Sequence, residues 1–192
     1  MSSPDRIELA CGGYRVAVEN AGWGTDPAGY LIAYRLEDKQ YRPSSWHKVT
    51  VFDESAEVKR CLLTAGGVAT GVHPHSTVCV GPQCYVAVGD SVCALSVPGL
   101  DLLWATPVDS ATCFGVYHVP EYECLISHGE LEIARVDFAG RVAWRTSGRD
   151  IFSEGIAFRG RLVEATDWDK TTYRIDIETG QIVAELPPAQ GA

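Results

Sequence analysis

The sequence lacks any long hydrophobic run. No stretch approaches the roughly 18 consecutive apolar residues that a helix needs to cross a bilayer. The first residues, from Met1 to Ile7, do not place a basic head before an apolar segment, which is the pattern of a secretory signal. These two absences predict a soluble protein of the cytoplasm.

Basic residues are scarce as well: 16 Lys and Arg stand against 25 Asp and Glu, which gives a net charge of −9. Nucleic acids and anionic membranes attract clustered Lys and Arg, so this balance argues against both as partners. A protein partner, particularly a basic one, or a small neutral or cationic ligand remains compatible with the charge.

Motifs of catalysis and phosphate binding are missing too. The sequence has no G-x-S-x-G elbow and no G-x-x-x-x-G-K-[ST] loop. His73 and His75, followed by Cys79 and Cys84, form the one metal-like cluster, but these cysteines lie in strand-like runs around a Gly-Pro pair and not in a tight knuckle. We therefore predict no metal and no cofactor, and we interpret the seven cysteines as reduced, mostly buried side chains.

Helical periodicity is nearly absent, with one or two turns around residues 53–63 as the most that the pattern allows. Short runs rich in Val, Ile, Tyr and Thr are instead punctuated by 19 Gly and 10 Pro. With a length of 192 residues, this pattern predicts a single all-β domain over residues 1–192.

An internal repeat occupies the C-terminal half. Trp104, Trp144 and Ala184 fall 40 residues apart, and Gly140 and Gly180 share that spacing. Each unit contains three strands joined by short turns and a connection with one more strand. Glycine supplies the positive φ that the last hairpin needs, and the tryptophan beyond it can fill the gap between neighbouring sheets.

A four-stranded sheet cannot bury its own faces, so such units must stack on one another as the blades of a β-propeller do. Trp46 could play the docking part in a divergent N-terminal unit, with an insertion over about 54–72 before the regular repeat. The predicted units are 7–60 for the divergent one and 85–123, 124–161 and 162–186 for the clear ones.

The repeat resembles the PQQ-like and WD-type β-propeller families over about residues 85–186. The docking motif of the PQQ-like family is A-x-D-x-x-T-G-x-x-x-W, and the last unit ends it in Ala184 in place of Trp. The chain keeps these residues of the motif: Ala94 and Trp104; Ala134, Gly140 and Trp144; Asp176, Thr179 and Gly180. The stretch from His128 to Asp137 is also similar to bacterial proteins of no assigned role.

The resemblance implies a small or partial β-propeller of about four four-stranded blades, one of them divergent. Propellers close with four to eight blades, so four would barely close and fewer would leave sheet edges exposed. A homodimer would cover such edges. A quinone-dependent enzyme is not expected, because such enzymes have a far longer chain and an export signal.

Two loops carry aromatic residues with no core to fill. Trp23 lies in the Gly-rich loop 20–27, and Trp168 lies at a hairpin tip between two acids. Exposed aromatics of this kind anchor interfaces, although either ring could fold back onto a neighbouring blade. The ligand-binding residues that we predict are Trp23, Asp150, Asp167 and Trp168.

These observations favour a non-enzymatic binding module, most simply a protein–protein adaptor or a neutralising protein. The alternative is a small-molecule hydrolase or lyase with its site in the propeller channel, for which His128, Glu130 and Asp150 are the candidate residues. A third hypothesis is a purely architectural role as half of a larger assembly.

Overall fold

The computed structural model describes residues 6–36 and 42–188, which fold into four β-sheets in chain order. Within these residues no helix has the length and apolar character that a membrane-spanning segment requires. The first sheet contains five strands: β1 (Arg6–Cys11), β2 (Tyr14–Asn20), β3 (Ala33–Arg35), β4 (Ser45–Asp53) and β5 (Ala56–Ala65). Four of them pair antiparallel in the order β1-β2-β4-β5, and β3 adds to the outer edge parallel to β5.

The other three sheets are regular four-stranded meanders. The second contains β6 (Thr77–Val80), β7 (Gln83–Val88), β8 (Ser91–Ser96) and β9 (Leu102–Pro107). The third contains β10 (Cys113–Val119), β11 (Cys124–Gly129), β12 (Glu132–Val136) and β13 (Val142–Ser147). The fourth contains β14 (Ile156–Arg159), β15 (Leu162–Thr166), β16 (Thr172–Asp176) and β17 (Ile182–Leu186). The protein is thus an all-β, propeller-type array of four blades, the first of them divergent.

The sheets and the units of the sequence repeat have the same period but a different phase. The three clear units begin at the second strand of a sheet, whereas the divergent unit begins in β1. The segment 53–63, for which one or two helical turns were allowed, is instead the β4–β5 hairpin, with Asp53 opposite Ala56. The helical expectation was wrong because Leu62 and Leu63, adjacent in sequence, are buried on the two faces of one strand. Strand β5 also occupies much of the segment 54–72, which was expected to be an insertion.

Three apolar clusters hold the blades together, one between each pair of consecutive sheets. Alternate residues of each central strand feed the two clusters: Leu125 faces the second sheet, whereas Ile126 faces the fourth. Within the described residues no cluster joins the fourth sheet to the first. In the described part of the chain the apolar clusters thus join the four blades in a row, each to the next in sequence.

The two regular interfaces repeat one tryptophan contact. Trp104 donates its indole N–H to the carbonyl of Phe138 at 3.0 Å, and Trp144 donates to the carbonyl of Ile177 at 2.9 Å. Each ring lies against a glycine of the next blade, and a Cβ on Gly140 or Gly180 would come within 2.6 Å of it. Both glycines also have positive φ, +83° and +72°, so turn geometry and packing demand the same residue. The expected role of the two tryptophans is confirmed.

The interface between the first two blades uses a tyrosine instead. The Tyr34 hydroxyl, on the additional strand β3, donates to the carbonyl of Leu100 at 2.9 Å and accepts from the N–H of Leu102 at 3.1 Å. The expectation that Trp46 performs this docking was wrong. Trp46 lies near the start of β4, opposite Thr64 of β5, and Tyr34 on the additional edge strand β3 supplies the docking ring in its place.

Both ends of the row are covered by charged side chains. On the outer face of the first blade, Arg6 pairs with Glu8 at 2.6 Å and with Glu19 at 2.5 Å, and Arg15 pairs with Glu8 at 2.8 Å. On the outer face of the fourth blade, Arg174 pairs with Glu164 at 2.8 Å, and the docking position holds Ala184. Terminal repeats with a polar outer face keep such arrays soluble, and these two faces have that character.

Candidate functional site

One side of the row carries the long loops. Because neighbouring strands in each blade are antiparallel, the turn after the second strand and the connection that leaves the last strand lie at the same end of every sheet. We call this side the loop face; it comprises residues 21–32, 66–76, 89–90, 108–112, 130–131, 148–155 and 167–171. All four predicted ligand-binding residues lie on it.

A buried carboxylate fixes the middle of the loop face. One oxygen of Asp109 accepts from the N–H groups of Ala111 and Thr112 at 2.6 and 3.0 Å. Its other oxygen accepts from the N–H groups of Leu131 and Glu132 at 2.8 and 2.7 Å. The charge is thus satisfied by four backbone donors, and it joins the connection after the second blade to a turn of the third.

Histidines strengthen the same face. Their Nε2 atoms meet backbone carbonyls in three places: His47 with Thr70 at 3.3 Å, His73 with Phe114 at 2.5 Å, and His128 with Phe152 at 2.9 Å. Burial lowers the pKa of His47 to about 4 and also lowers those of His73 and His128. These rings are therefore neutral structural donors near pH 7. No group of three or more His, Cys, Asp or Glu within the described residues is arranged to hold a metal ion.

The candidate residues of the enzyme alternative are not joined in one site. The ring of His128 is buried against a backbone carbonyl, and the carboxylate of Asp150 accepts from the N–H of Ile151 at 2.7 Å. Within the described residues no hydrogen bond or ion pair links the side chains of His128, Glu130 and Asp150. These three side chains therefore form no proton-transfer pair with one another in the described structure.

The cysteines are free thiols, and six of the seven are buried, with Cys79 half-buried. Burial raises the pKa of Cys61 to about 12, so its thiol is protonated and unreactive at neutral pH. Cys79 lies directly opposite Cys84 in the β6–β7 hairpin, where both side chains pack at the interface of the first two blades.

The predicted residues of the fourth blade have different surroundings. Asp167 is buried, and its carboxylate accepts from the N–H of Thr171 and the hydroxyl of Tyr173, both at 2.9 Å. Trp168 is 62% exposed and donates its backbone N–H to the carbonyl of Ile151 at 2.8 Å. Asp150 is exposed and lines an open cleft of about 380 Å³ formed by the third blade and the connections before and after it. The structure thus places the backbone of Trp168 against Ile151, the residue that follows Asp150, and buries Asp167.

The predicted residue of the first blade, Trp23, is 89% exposed. Its ring meets that of Trp46 edge to face, with centroids 6.2 Å apart and planes inclined by 72°. The two rings lie on the wall of a cleft of about 210 Å³. The cleft is lined by Asn20, Gly22, Trp23, Ser44, Ser45, Trp46, Ala69, Thr70 and Gly71. None of these nine residues is charged.

Trp46 is the site residue that sequence reasoning placed elsewhere. The spacing from Trp104 favoured a docking role, and that spacing carries no information about which end of the sheet holds the ring. One signal was available: Trp46 follows Pro43, Ser44 and Ser45, which is loop composition, so its ring belongs beside the other loops.

No protein-family model matches the sequence, and no curated protein matches it. Solved structures do resemble it. The RRP9 WD40 repeats superpose with a TM-score of 0.50 at 21% identity, over 62% of this chain and 41% of that one. The dihydro-heme d1 dehydrogenase NirN, in complex with DHE, gives 0.56 at 15% identity over 91% and 35%. The AfRom2 CNH domain gives 0.56 at 8% identity over 96% and 55%.

These likenesses show a β-propeller fold and nothing narrower. The identities are low, and the chain spans 35 to 55% of the length of the three structures. One of them is named as a dehydrogenase and another as WD40 repeats, so the shared architecture does not itself choose a function. No comparison supports the PQQ-like or bacterial resemblance.

Proposed function

We propose that this protein is a non-enzymatic module that binds another protein through its loop face. The observation that carries the proposal is the exposure of Trp23 and Trp168, 89% and 62%, on the same side of the row. A tryptophan in water exposes a large apolar area, and such rings become anchors when a partner covers them. An adaptor or neutralising protein would use such a face.

Charge on the loop face favours a partner with basic residues. Asp150 and Asp169 are exposed and form no ion pair within the described residues, whereas the nearby Lys170 pairs with Glu154 at 2.6 Å. Complementary charge mainly increases the association rate and the specificity, while the tryptophans supply the affinity. Asp167 supports this site from below and orders its hairpin.

The small-molecule hydrolase or lyase is the weaker candidate. The buried histidines of the loop face donate to carbonyls, and Asp150, which would have to act as the acid or base, is bound to its neighbour's N–H. A catalytic role would need these groups to converge on one reacting atom.

The test is affinity capture from cells that contain the protein, with wild type, Trp23→Ala and Trp168→Ala as baits. We expect at least one tryptophan variant to retain less than a tenth of the partner, as for an interface anchor. Val58→Ala is the matched control, because Val58 is 48% exposed and lies beside the β4–β5 turn on the opposite side. Identical partner lists for all four baits would remove the loop face from the function. Sedimentation velocity of the purified chain shows whether the partner is a second copy.

A further inference from the structure

We propose that the cleft between Trp23 and Trp46 is a docking site for a proline-containing segment of the partner in the polyproline II conformation. This inference deepens the proposed function and rests on it. The loop face provides the setting, and the cleft specifies which part of a partner enters it.

The size of the cleft favours part of a chain over a complete small ligand. Its volume is about 210 Å³, and it is open on one side. Sites that enclose a small molecule usually offer about 300–1,000 Å³ and bury most of the ligand surface. A cleft of this size instead accepts one or two residues of an extended segment that continues beyond it on both sides.

The polarity of the described lining favours ligands that are recognised without charge. In a chain with a net charge of −9, none of the nine described residues that line the cleft is charged. Among these residues a phosphate or a carboxylate would find no cation, and an ammonium group would find no acid. The ring faces and the small residues around them suit an uncharged, partly apolar group.

Two oxygens of the cleft are already in use and two donors are not. The Asn20 side-chain oxygen accepts from the N–H of Val72 at 3.0 Å, and the Ser45 hydroxyl accepts from the N–H of Thr70 at 2.9 Å. The indole N–H groups of Trp23 and Trp46 have no hydrogen-bond partner within the described residues. The two tryptophans therefore suit a ligand that presents acceptors.

A polyproline II segment has these properties. Its backbone makes no internal hydrogen bonds, so its carbonyls are free to accept from indole N–H groups. Proline has no N–H of its own, so it places no unpaired donor beside the occupied oxygens of Asn20 and Ser45. Its flat ring packs on an aromatic face, which is how aromatic-lined grooves recognise proline-rich chains.

The loop holds Trp23 ready for such a ligand. The N–H of Ala21 donates to the carbonyl of Trp46 at 3.0 Å, and the hydroxyl of Thr25 donates to the carbonyl of Gly22 at 2.9 Å. The Asp26 carboxylate accepts from the N–H of Ala28 and begins a short 3₁₀ turn, Pro27–Gly29. An exposed ring on an ordered loop loses little freedom on binding, as does a ligand that is already extended.

The test uses the five indole N–H signals in a ¹⁵N-correlated NMR spectrum, assigned by single Trp→Phe variants. The probe is an uncharged oligoproline of about ten residues, about 31 Å long, and the control is a Gly-Ser peptide of equal length. We expect oligoproline to shift the signals of Trp23 and Trp46. Those of Trp104 and Trp144 should stay in place, because their N–H groups are bonded between blades.

Trp23→Ala should weaken oligoproline binding at least tenfold, and Val58→Ala, on the opposite side of the molecule, should leave it unchanged. Unmoved Trp104 and Trp144 signals in each variant show that the fold persists. The inference is overturned if millimolar oligoproline shifts neither Trp23 nor Trp46, or if the Gly-Ser peptide shifts them equally. A shift caused by a neutral oligosaccharide, without one from oligoproline, would assign the cleft to carbohydrate and also reject the proposal.

The inference and the proposed function fail in different ways. If Trp23→Ala loses the captured partner while oligoproline does not bind, the loop face is a binding site and the ligand chemistry is wrong. If oligoproline binds while both tryptophan variants capture the same partners as wild type, the cleft recognises proline but the loop face is not where the partner is held.

Discussion

The tryptophans of this protein belong to two regions that differ in every respect except the side chain. Trp104 and Trp144 are half-buried between blades, with their N–H groups bonded to carbonyls and their rings on glycines. Trp23 and Trp168 lie in the loops, 89% and 62% exposed. Trp104 and Trp144 stand 40 residues apart at the same place in the repeat, whereas Trp23 and Trp168 lie outside the repeated positions. Position relative to the repeat therefore decides whether a tryptophan stabilises the fold or is available to a partner.

The largest expected effect is on stability, and it should distinguish the tryptophans between blades from those in the loops. Trp144→Ala removes a ring that fills the interface of the third and fourth blades, and we expect it to lower the free energy of unfolding by about 3–4 kcal/mol. Trp168→Ala removes an exposed ring and should change it by less than about 0.5 kcal/mol. Urea unfolding followed by circular dichroism measures both. Equal losses would show that Trp168 also packs on the fold.

Lowering the pH should likewise distinguish a buried histidine, His47, from an exposed one, His75. His47 is buried with its Nε2 bonded to Thr70, and its Nδ1 has no partner within the described residues. Burial lowers its pKa from 6.5 to about 4, so the unfolded chain binds a proton more readily than the folded one. The contribution of neutral His47 to the free energy of unfolding is fully present above pH 6.5. It decreases by about 2–3 kcal/mol as the pH falls towards 4.

The measurement is the free energy of unfolding from pH 7 to pH 4 for wild type and His47→Gln. We expect the variant to lose about 2–3 kcal/mol less than wild type over that range. His75→Gln is the matched control, since His75 is exposed and stacks on Tyr117 with ring centroids 4.9 Å apart. If the free energy of unfolding of the variant falls with pH as steeply as that of wild type, protonation of His47 does not destabilise the folded protein.

A third test compares the two acids beside Trp168. Asp167→Asn places an amide N–H₂ where the carboxylate accepts from Thr171 and Tyr173, so one buried donor loses its acceptor. We expect a loss of about 2 kcal/mol in the free energy of unfolding. Asp150→Asn should cost less than about 0.5 kcal/mol, because Asp150 is exposed. Similar small effects would place Asp167 among the residues free to bind a partner.

The regular blades could be predicted from the sequence because local and interface requirements coincide there. Gly140 and Gly180 satisfy a turn and a ring contact at once, so their spacing reports both. The first blade was harder, since its docking ring is Tyr34 on a strand that the repeat does not contain. The alternation of apolar and polar residues that predicts a strand was also absent on β5. Both faces of this strand are buried, so Leu62 and Leu63 are adjacent in sequence, a pattern that suits a helix as well as a strand.

The candidate site was predictable only in part, for a related reason. Exposure of Trp23 and Trp168 followed from the composition of their loops, which offer no core to fill. Burial of Asp167 did not, because its partner Tyr173 is a neighbour across a hairpin and either an inward or an outward carboxylate fits that turn. The cleft itself depends on Trp46 and on the 66–76 connection, which only the packing of two blades brings together.

The smallest effect tests whether Tyr34 is the counterpart of the docking tryptophans. Tyr34→Phe keeps the ring and removes the hydroxyl that joins Leu100 and Leu102 to the first blade. We expect a loss of about 1 kcal/mol, which lowers the thermal midpoint by about 2–4 °C for a chain of this size. Tyr14→Phe is the control, because the Tyr14 hydroxyl has no hydrogen-bond partner in the part of the chain that the structure describes. If both variants melt together with wild type, the first interface relies on apolar packing alone, and only the two tryptophan interfaces share a directed contact.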